Sequence, residues 1–576
     1  MLTAIGLCAT ITTRSGAQEA DPPERVAMVD LVEGAAASQP AGAGDWVADL
    51  ANRPLTTGDR LWVDADSRAE LHLGSAAIRL GANTGLQFLS VADRVAQLRL
   101  SEGTMIVRLR YLSPDETFEV DTPNSAISLM QSGEYRIEVN NAGDAVAVDV
   151  WRGQAEVAGQ AQSFTLEAQQ QGVFQGGDTL AVEFGDLPPA DGFDQWAQDR
   201  DRREDDLLTA NFLSRDVTGY ADLDGYGNWQ TDPDLGPVWV PRVAAGWVPY
   251  SQGYWISVAP WGWTWIDAAP WGFAPFHYGR WVHHRLGWAW CPGQPSVRPV
   301  YAPALVAWAT GPNNVIAWVA LGPNEIYRPW GRVSNGYLRR VNVTNTYIDN
   351  TVTLDARTVA SPPRYVNQAI PGAMIAVTQE TFRSGRDVGR EVKPIAAAQA
   401  VLRADNPIQP TAKSLLRAPD NGRRVAVMPP RGIFTRPVVA RTTPPIVPGL
   451  IAEQHRVIVT SVPRAEARSR PAAPPPQPAP WPASPVREPS PATEPSLPRD
   501  LPPSREVQPG RDSVPDRGRE PVNSPPARTD RPAVLPHPAP AAPPPVIERP
   551  PPARKQILPI EPSRRAPEKT PAKPDH

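Results

Sequence analysis

From residue 45 to 185 the chain alternates apolar and polar side chains almost without interruption. Arg68-Ala-Glu-Leu-His-Leu73, Val95-Ala-Gln-Leu-Arg-Leu100, Thr117-Phe-Glu-Val-Asp121, Tyr135-Arg-Ile-Glu-Val139 and Ala145-Val-Ala-Val-Asp-Val150 all follow a period of two. That period predicts strands with one face on a core and the other in water. Gly58-Asp59, Asn83-Thr-Gly85, Asn140-Asn-Ala-Gly143 and Gly176-Gly177 supply turns between them. About a dozen short strands at this spacing predict a β-sandwich, a roll or a short β-solenoid.

The period changes after residue 185. Residues 186–225 are polar and charged, with Phe193, Trp196 and Ala197 at i, i+3 and i+4. That spacing predicts a connecting helix with a weakly apolar face, capping the first domain. From 226 to 400 the unit becomes a short phrase of Trp with Gly or Pro, as in Pro260-Trp-Gly-Trp-Thr-Trp265, Pro270-Trp-Gly-Phe-Ala-Pro275 and Gly287-Trp-Ala-Trp-Cys-Pro-Gly293. Gaps of about six to ten residues between phrases suit very short hairpins, so a second, Trp-rich all-β domain is expected.

Composition bounds the rest. Of the 70 prolines, 44 fall after residue 400. Residues 401–576 therefore read as a Pro-rich disordered tail, partly polyproline II, unable to bury enough surface to offset chain entropy. Leu2 to Ile11 is a short apolar run followed by the small residues Ser15-Gly16-Ala17. This predicts a signal peptide over 1–17, with a start that lies upstream, a linker over 18–44, and a periplasmic or extracellular location. No later run has the length and apolarity of a membrane span.

The formal net charge of −4 conceals a dipolar chain: residues 18–225 carry −21 and residues 226–460 carry +11. The basic half is too sparse in Lys and Arg to imply nucleic acid. The chain has two cysteines, Cys8 and Cys291, so no disulfide framework is expected in the folded part. His277, His283, His284 and Cys291 cluster in sequence. However, His283 and His284 are neighbours that a strand points to opposite sides, so no metal site is expected. No motif for a nucleophile, a P-loop, a dinucleotide or a metalloprotease occurs, and neither an enzyme nor a cofactor is expected.

The candidate binding residues are aromatic. Fourteen of the 19 tryptophans lie between residues 226 and 330. Trp261, Trp263 and Trp265 alternate, and on a strand they would share one face over roughly 13 Å. With Trp271 and Trp281 they form a row able to stack on sugar rings or on a Pro-rich peptide. The alternative is that they are core, because aliphatic residues are scarce around them. In that case Trp263 is expected to be buried and Trp261 or Trp271 more exposed at the strand ends.

Two resemblances add to this. Thr57-Gly-Asp59, Ala69-Glu-Leu-His-Leu-Gly-Ser75, Leu100-Ser-Glu-Gly103, Phe118-Glu-Val-Asp-Thr-Pro123, Gly133-Glu-Tyr-Arg-Ile-Glu-Val139 and Val148-Asp-Val-Trp-Arg-Gly-Gln-Ala-Glu-Val157 resemble, in order and spacing, the FecR-type periplasmic domain over about 55–175. A Gly-Thr-x-Phe step usual in that family reads Gly133-Glu-Tyr-Arg136 here. Residues of about 226–400, with Pro260 to Trp265 and His277-Tyr-Gly-Arg-Trp281, resemble a Trp-rich domain of unknown function that follows FecR-like domains in exported proteobacterial proteins. The first resemblance implies a binding or scaffold module, or a sensor of a loaded outer-membrane receptor that controls a sigma factor. The main expectation is a non-catalytic envelope protein whose two domains bind a protein or a glycan such as peptidoglycan. The alternative is a periplasmic sensor in FecR-type signal transduction, acting through a membrane partner.

Overall fold

The computed structural model describes residues 21–464, apart from 49–50, 286, 294–297, 346–363, 394, 396–398, 404–405, 407, 418–426 and 447–456. The expected signal peptide and the chain beyond 464 lie outside the described residues. The described part is mainly β, with two principal apolar cores.

In the first domain sixteen strands form two hydrogen-bonded layers around one aliphatic core. The fifteen-residue strand Val95–Leu109 belongs to both layers. Its first half pairs with Thr84–Val91 and, in parallel, with Thr117–Asp121; its second half pairs with Ala76–Leu80 and Gly133–Val139. Gly103 at the bend has φ +94°, and a Cβ there would lie 2.3 Å from the Thr84 hydroxyl, so only glycine fits. The alternating positions meet in the core as the period predicts: Leu71, Ile78, Leu98, Val120, Ile137 and Val148 are all sealed from water.

The domain starts earlier than residue 45. Ala27–Glu33 pairs with Arg68–Leu73, and Ala36–Gln39 pairs with Arg60–Val63, so much of the expected linker is sheet. Around Ala27–Glu33 the side chains also join the two domains. Ala27 and Val29 enter the first core, whereas Val26 and Met28 point the other way into the Trp-rich core. Strand alternation, with two apolar sides, serves as the seam.

The second domain is built from short hairpins, including Gly253–Val258 with Gly262–Asp267 and Val306–Gly311 with Val315–Ala320. Indoles face each other across the strands: Trp229 opposite Trp239, Trp255 opposite Trp265, Trp281 opposite Trp290, Trp308 opposite Trp318. Gly227 shows why glycine separates these phrases, since a Cβ there would lie 2.3 Å from the Trp239 ring. Leu213, Val217, Tyr220 and Leu223, from the expected connecting segment, also enter this core.

The described residues between 401 and 464 are not a detached tail. Val401–Arg403 adds an edge to Val306–Gly311, and Ile408 lies in the Trp-rich core. Ile433 and Phe434 pack on Trp46 and Trp62, and Val438–Ala440 lies over the first domain. The described elements here are three or four residues long and interrupted by proline, so no periodicity announces them.

Candidate functional site

The five tryptophans proposed as a stacking row are core residues. Trp261, Trp263, Trp265, Trp271 and Trp281 are each at most 3% exposed. Trp261 and Trp271 are as buried as Trp263, so the expected exposure at the strand ends is corrected as well. The physical reason is mutual packing. Trp265 contacts Trp255 and Tyr250, Trp263 lies against Phe382 at 4.4 Å, and Trp271 stacks on Phe276. Four of the five use their N–H groups internally. Trp263 donates to the Ile408 carbonyl at 2.6 Å, Trp281 to Pro275 at 2.9 Å, Trp261 to Pro23 at 3.2 Å and Trp265 to the Asp267 carboxyl at 2.9 Å. A buried indole is usually given such a partner, and a backbone carbonyl provides it without a charge.

The histidine and cysteine group does not converge either. His277 ends a short buried helix and its Nδ1 faces the Ala302 carbonyl at 2.9 Å. His283 is exposed on the strand Arg280–His284. Cys291 is buried, which pushes its thiol up to about 12.

The titratable chemistry of the molecule is instead concentrated on the first domain's polar face. Among the described residues, Asp30, Glu70 and His72 form a cluster of potential metal ligands. Their strands pair directly, with Met28 opposite His72 and Leu31 opposite Glu70. His72 Nε2 lies 3.3 Å from Glu70, and Nδ1 lies 3.8 Å from Asp30. The bridging helix Gly192–Asp205 lies over this face. Its start is set locally: Asp191 accepts from the Phe193 and Asp194 amides, and Asp194 returns the bond, a reciprocal cap. From the helix, Arg200 donates to both oxygens of Glu70 at 2.8 and 3.0 Å and to Asp30 at 2.8 Å. Arg79 adds a 2.7 Å bond to Glu70 and pairs with Asp201 at 2.8 Å. Glu204 accepts from the Tyr220 hydroxyl at 2.6 Å, which ties the network to the chain entering the Trp-rich core.

The charges follow from this arrangement. Burial opposes ionisation of Glu70, but hydrogen bonds from His72 and Arg200 outweigh it and hold the carboxyl well below its usual range. Burial would lower His72, yet Asp30 and Glu70 prevail and raise it to about 9. Asp30 and Asp222 are raised, first by burial and then by the carboxylates around them. Two guanidinium groups and an imidazolium already neutralise Glu70 and its neighbours. A metal ion would have to expel Arg200, so the cluster fits an electrostatic joint better than a metal centre. Beside the helix start, an open groove of about 500 Å³ is lined by Glu33, Arg68, Arg136, Asp191 and Phe193, with both signs of charge.

Sequence reasoning missed this face because charged positions on an alternating strand were assigned to water. Each strand carried the signal in part: Glu70, His72 and Arg79 supply both signs of charge within ten residues of each other.

Fold and joint together define a two-core β protein whose cores share a strand and whose connecting helix is held on the first domain by buried charge. Residues 59–156 match the FecR protein family, and residues 220–325 match a family of unknown function, DUF6600. The chain therefore carries a FecR domain followed by a DUF6600 domain. No curated protein matches it. It is similar, at 15% identity and a TM-score of 0.20, to crystal structures at 1.65 and 2.50 Å resolution of a protein described as a candidate anti-sigma factor from Parabacteroides distasonis ATCC 8503. The similarity covers 22% of this chain and 59% of that one. No helix among the described residues is long and apolar enough to cross a membrane.

Proposed function

We propose that this chain is a FecR-type sensor or regulator that works outside the cytoplasm through a protein partner and without catalysis. The FecR match over residues 59–156 carries this reading. The FecR and Trp-rich domains respond to the partner as one body, because Val26 to Val29 alternate between their cores and Tyr220 of the Trp-rich core donates to Glu204 of the helix over the FecR domain. A membrane protein relays the signal to a sigma factor. The main expectation from sequence, a scaffold whose two domains bind a protein or a glycan, loses its candidate stacking row, because the five tryptophans are buried. Deleting the gene in its host and sequencing the transcripts tests the proposal. A several-fold change confined to the promoters of one extracytoplasmic sigma factor, restored by the wild-type chain, is the expected result. An unchanged transcriptome under envelope stress, together with retention of the purified chain on peptidoglycan, would overturn it.

A further inference from the structure

The other layer of the FecR domain also turns a polar face outward, and that face too is covered. Gln97, Glu119, Ser128 and Glu156 stand in one row across four neighbouring strands, in register with one another. Arg99 and Asp121 form the next row. All six are buried. What covers Gln97, Arg99, Glu119 and Glu156 is an extended stretch of this same chain, more than 280 residues away in sequence from Glu156.

The contacts have a particular character: side chains of the FecR domain read the backbone of the stretch. Glu119 accepts from the amides of Arg441 at 2.7 Å and Thr442 at 3.0 Å, and from the Thr442 hydroxyl at 2.6 Å. Gln97 donates to the Thr442 carbonyl at 2.7 Å, and Arg99 donates to the Arg436 carbonyl. The Val439 amide donates to the Thr122 carbonyl at 3.0 Å, a single bridge of the antiparallel kind. Two side-chain pockets complete the site. Glu156 receives the Arg441 guanidinium at 2.6 Å. Trp46, Trp62 and Arg60 receive Phe434, with the guanidinium 5.3 Å from its ring. Ile433 sits so close over Gly85 that a Cβ there would lie 2.8 Å from it.

Side chains that bind an extended backbone, with one aromatic and one cationic pocket, are how folded domains capture peptides. The covering stretch has little structure of its own. Among the described residues before 446 its one strand is Val438–Ala440, which pairs in parallel with Val457–Val459, and Pro437, Pro444 and Pro445 interrupt it. Its charged pairs cost desolvation comparable to their attraction, so they select a sequence more than they add hold.

We infer that this face of the FecR domain is a peptide-binding groove, occupied in cis by residues 433–442, and that it takes in trans an extended protein segment of the same chemistry. That segment carries an aromatic residue, then proline and β-branched residues, then Arg-Thr. The cis stretch competes at an effective concentration on the order of millimolar, so a partner segment engages by displacing it. This goes beyond the regulatory reading, and failure of the transcript test above would leave the groove standing.

The test uses the full chain and a fluorescent peptide of residues 431–442. Phe434→Ala with Arg441→Ala loosens the cis stretch while the peptide keeps both anchors. The loosened chain is expected to bind the peptide at least about tenfold more tightly than the wild type. Adding Glu119→Gln should abolish that gain, and a scrambled peptide should not bind. A loosened chain with unchanged near-ultraviolet circular dichroism that binds no better than the wild type would overturn the inference. If the double variant loses its fold, amide exchange in the wild-type chain decides. The Val439, Arg441 and Thr442 amides should exchange faster than that of Val120 and faster still with excess peptide. Equal protection of all four, unmoved by peptide, would show the stretch to be a permanent part of the domain.

Discussion

His72 and His277 are both sealed from water, one in each domain, and they carry different charge. Carboxylates surround His72 and hold it protonated to about pH 9, whereas burial keeps His277 neutral down to about 4. The FecR domain sets ions against ions across its covered faces. The Trp-rich domain sets dipoles against dipoles, with indole N–H groups on backbone carbonyls and rings at 4.4 to 6.4 Å from one another. Both pair most of their buried polar groups, but removing one partner has different consequences. A lost indole leaves a cavity and a lone carbonyl; a lost arginine leaves a buried charge.

The contrast is most exposed to failure at Trp263. Replacing it by Ala removes the ring on Phe382 and the donor to Ile408, and should destabilise the protein by about 3–5 kcal/mol. Denaturant unfolding together with near-ultraviolet circular dichroism checks this. A variant with wild-type stability and an unchanged spectrum would mean that the indole is not core.

Arg200→Ala probes the ionic side. It strips Glu70 and Asp30 of a shared donor, and a loss of about 3 kcal/mol is expected, somewhat reduced because Arg200 is partly solvated. Arg200→Lys should recover only part of this, since one ammonium does not reproduce the fork that binds both carboxylates. Full recovery by Lys would show that charge alone, without geometry, makes the joint.

The histidines give opposite slopes with pH. An unfolded histidine takes up its proton near pH 6.5. For His277, with a folded value of about 4, the contribution is complete above 6.5 and is lost as pH falls towards 4, on the order of 3 kcal/mol. For His72, with a folded value of about 9, the contribution is complete below 6.5 and is lost as pH rises towards 9. Unfolding free energies of His277→Gln and His72→Gln, each subtracted from wild type between pH 4 and 9, should slope in opposite directions. Slopes of the same sign would remove the distinction drawn here.

The smallest effect is expected at Trp281→Phe. The ring volume is largely kept, while the bond to the Pro275 carbonyl is lost, so about 1 kcal/mol is expected. Thermal unfolding resolves this, and a cost like that of Trp263→Ala would mean that packing, not the N–H, makes Trp281 necessary.

Much of this was legible in the residues. Alternation at Arg68–Leu73 and Thr117–Asp121 marks strands whose apolar members are core. The spacing of ten between Trp229 and Trp239, Trp255 and Trp265, and Trp308 and Trp318 is the signature of indoles facing across a hairpin, a signal present but not used. It argues for core, because facing indoles bury each other. The strands at Ala27–Glu33 and Val438–Ala440 were not legible. The first was masked by its two apolar sides, and the second is too short for any period to show.

The sequence by itself determined the alternating strands from 45 to 185, the Trp hairpins, the order of the two domains and the apolar half of each sheet, because these depend on neighbours one to ten residues apart. Only the tertiary structure decided what became of the polar half. A charge on an alternating strand has the same local pattern whether it faces water, the helix Gly192–Asp205 or residues 433–442. Arg200 reaches Glu70 across 130 residues and Arg441 reaches Glu156 across 285. Ion pairing depends on distance in space and on the exclusion of water, and no periodicity along the chain records either.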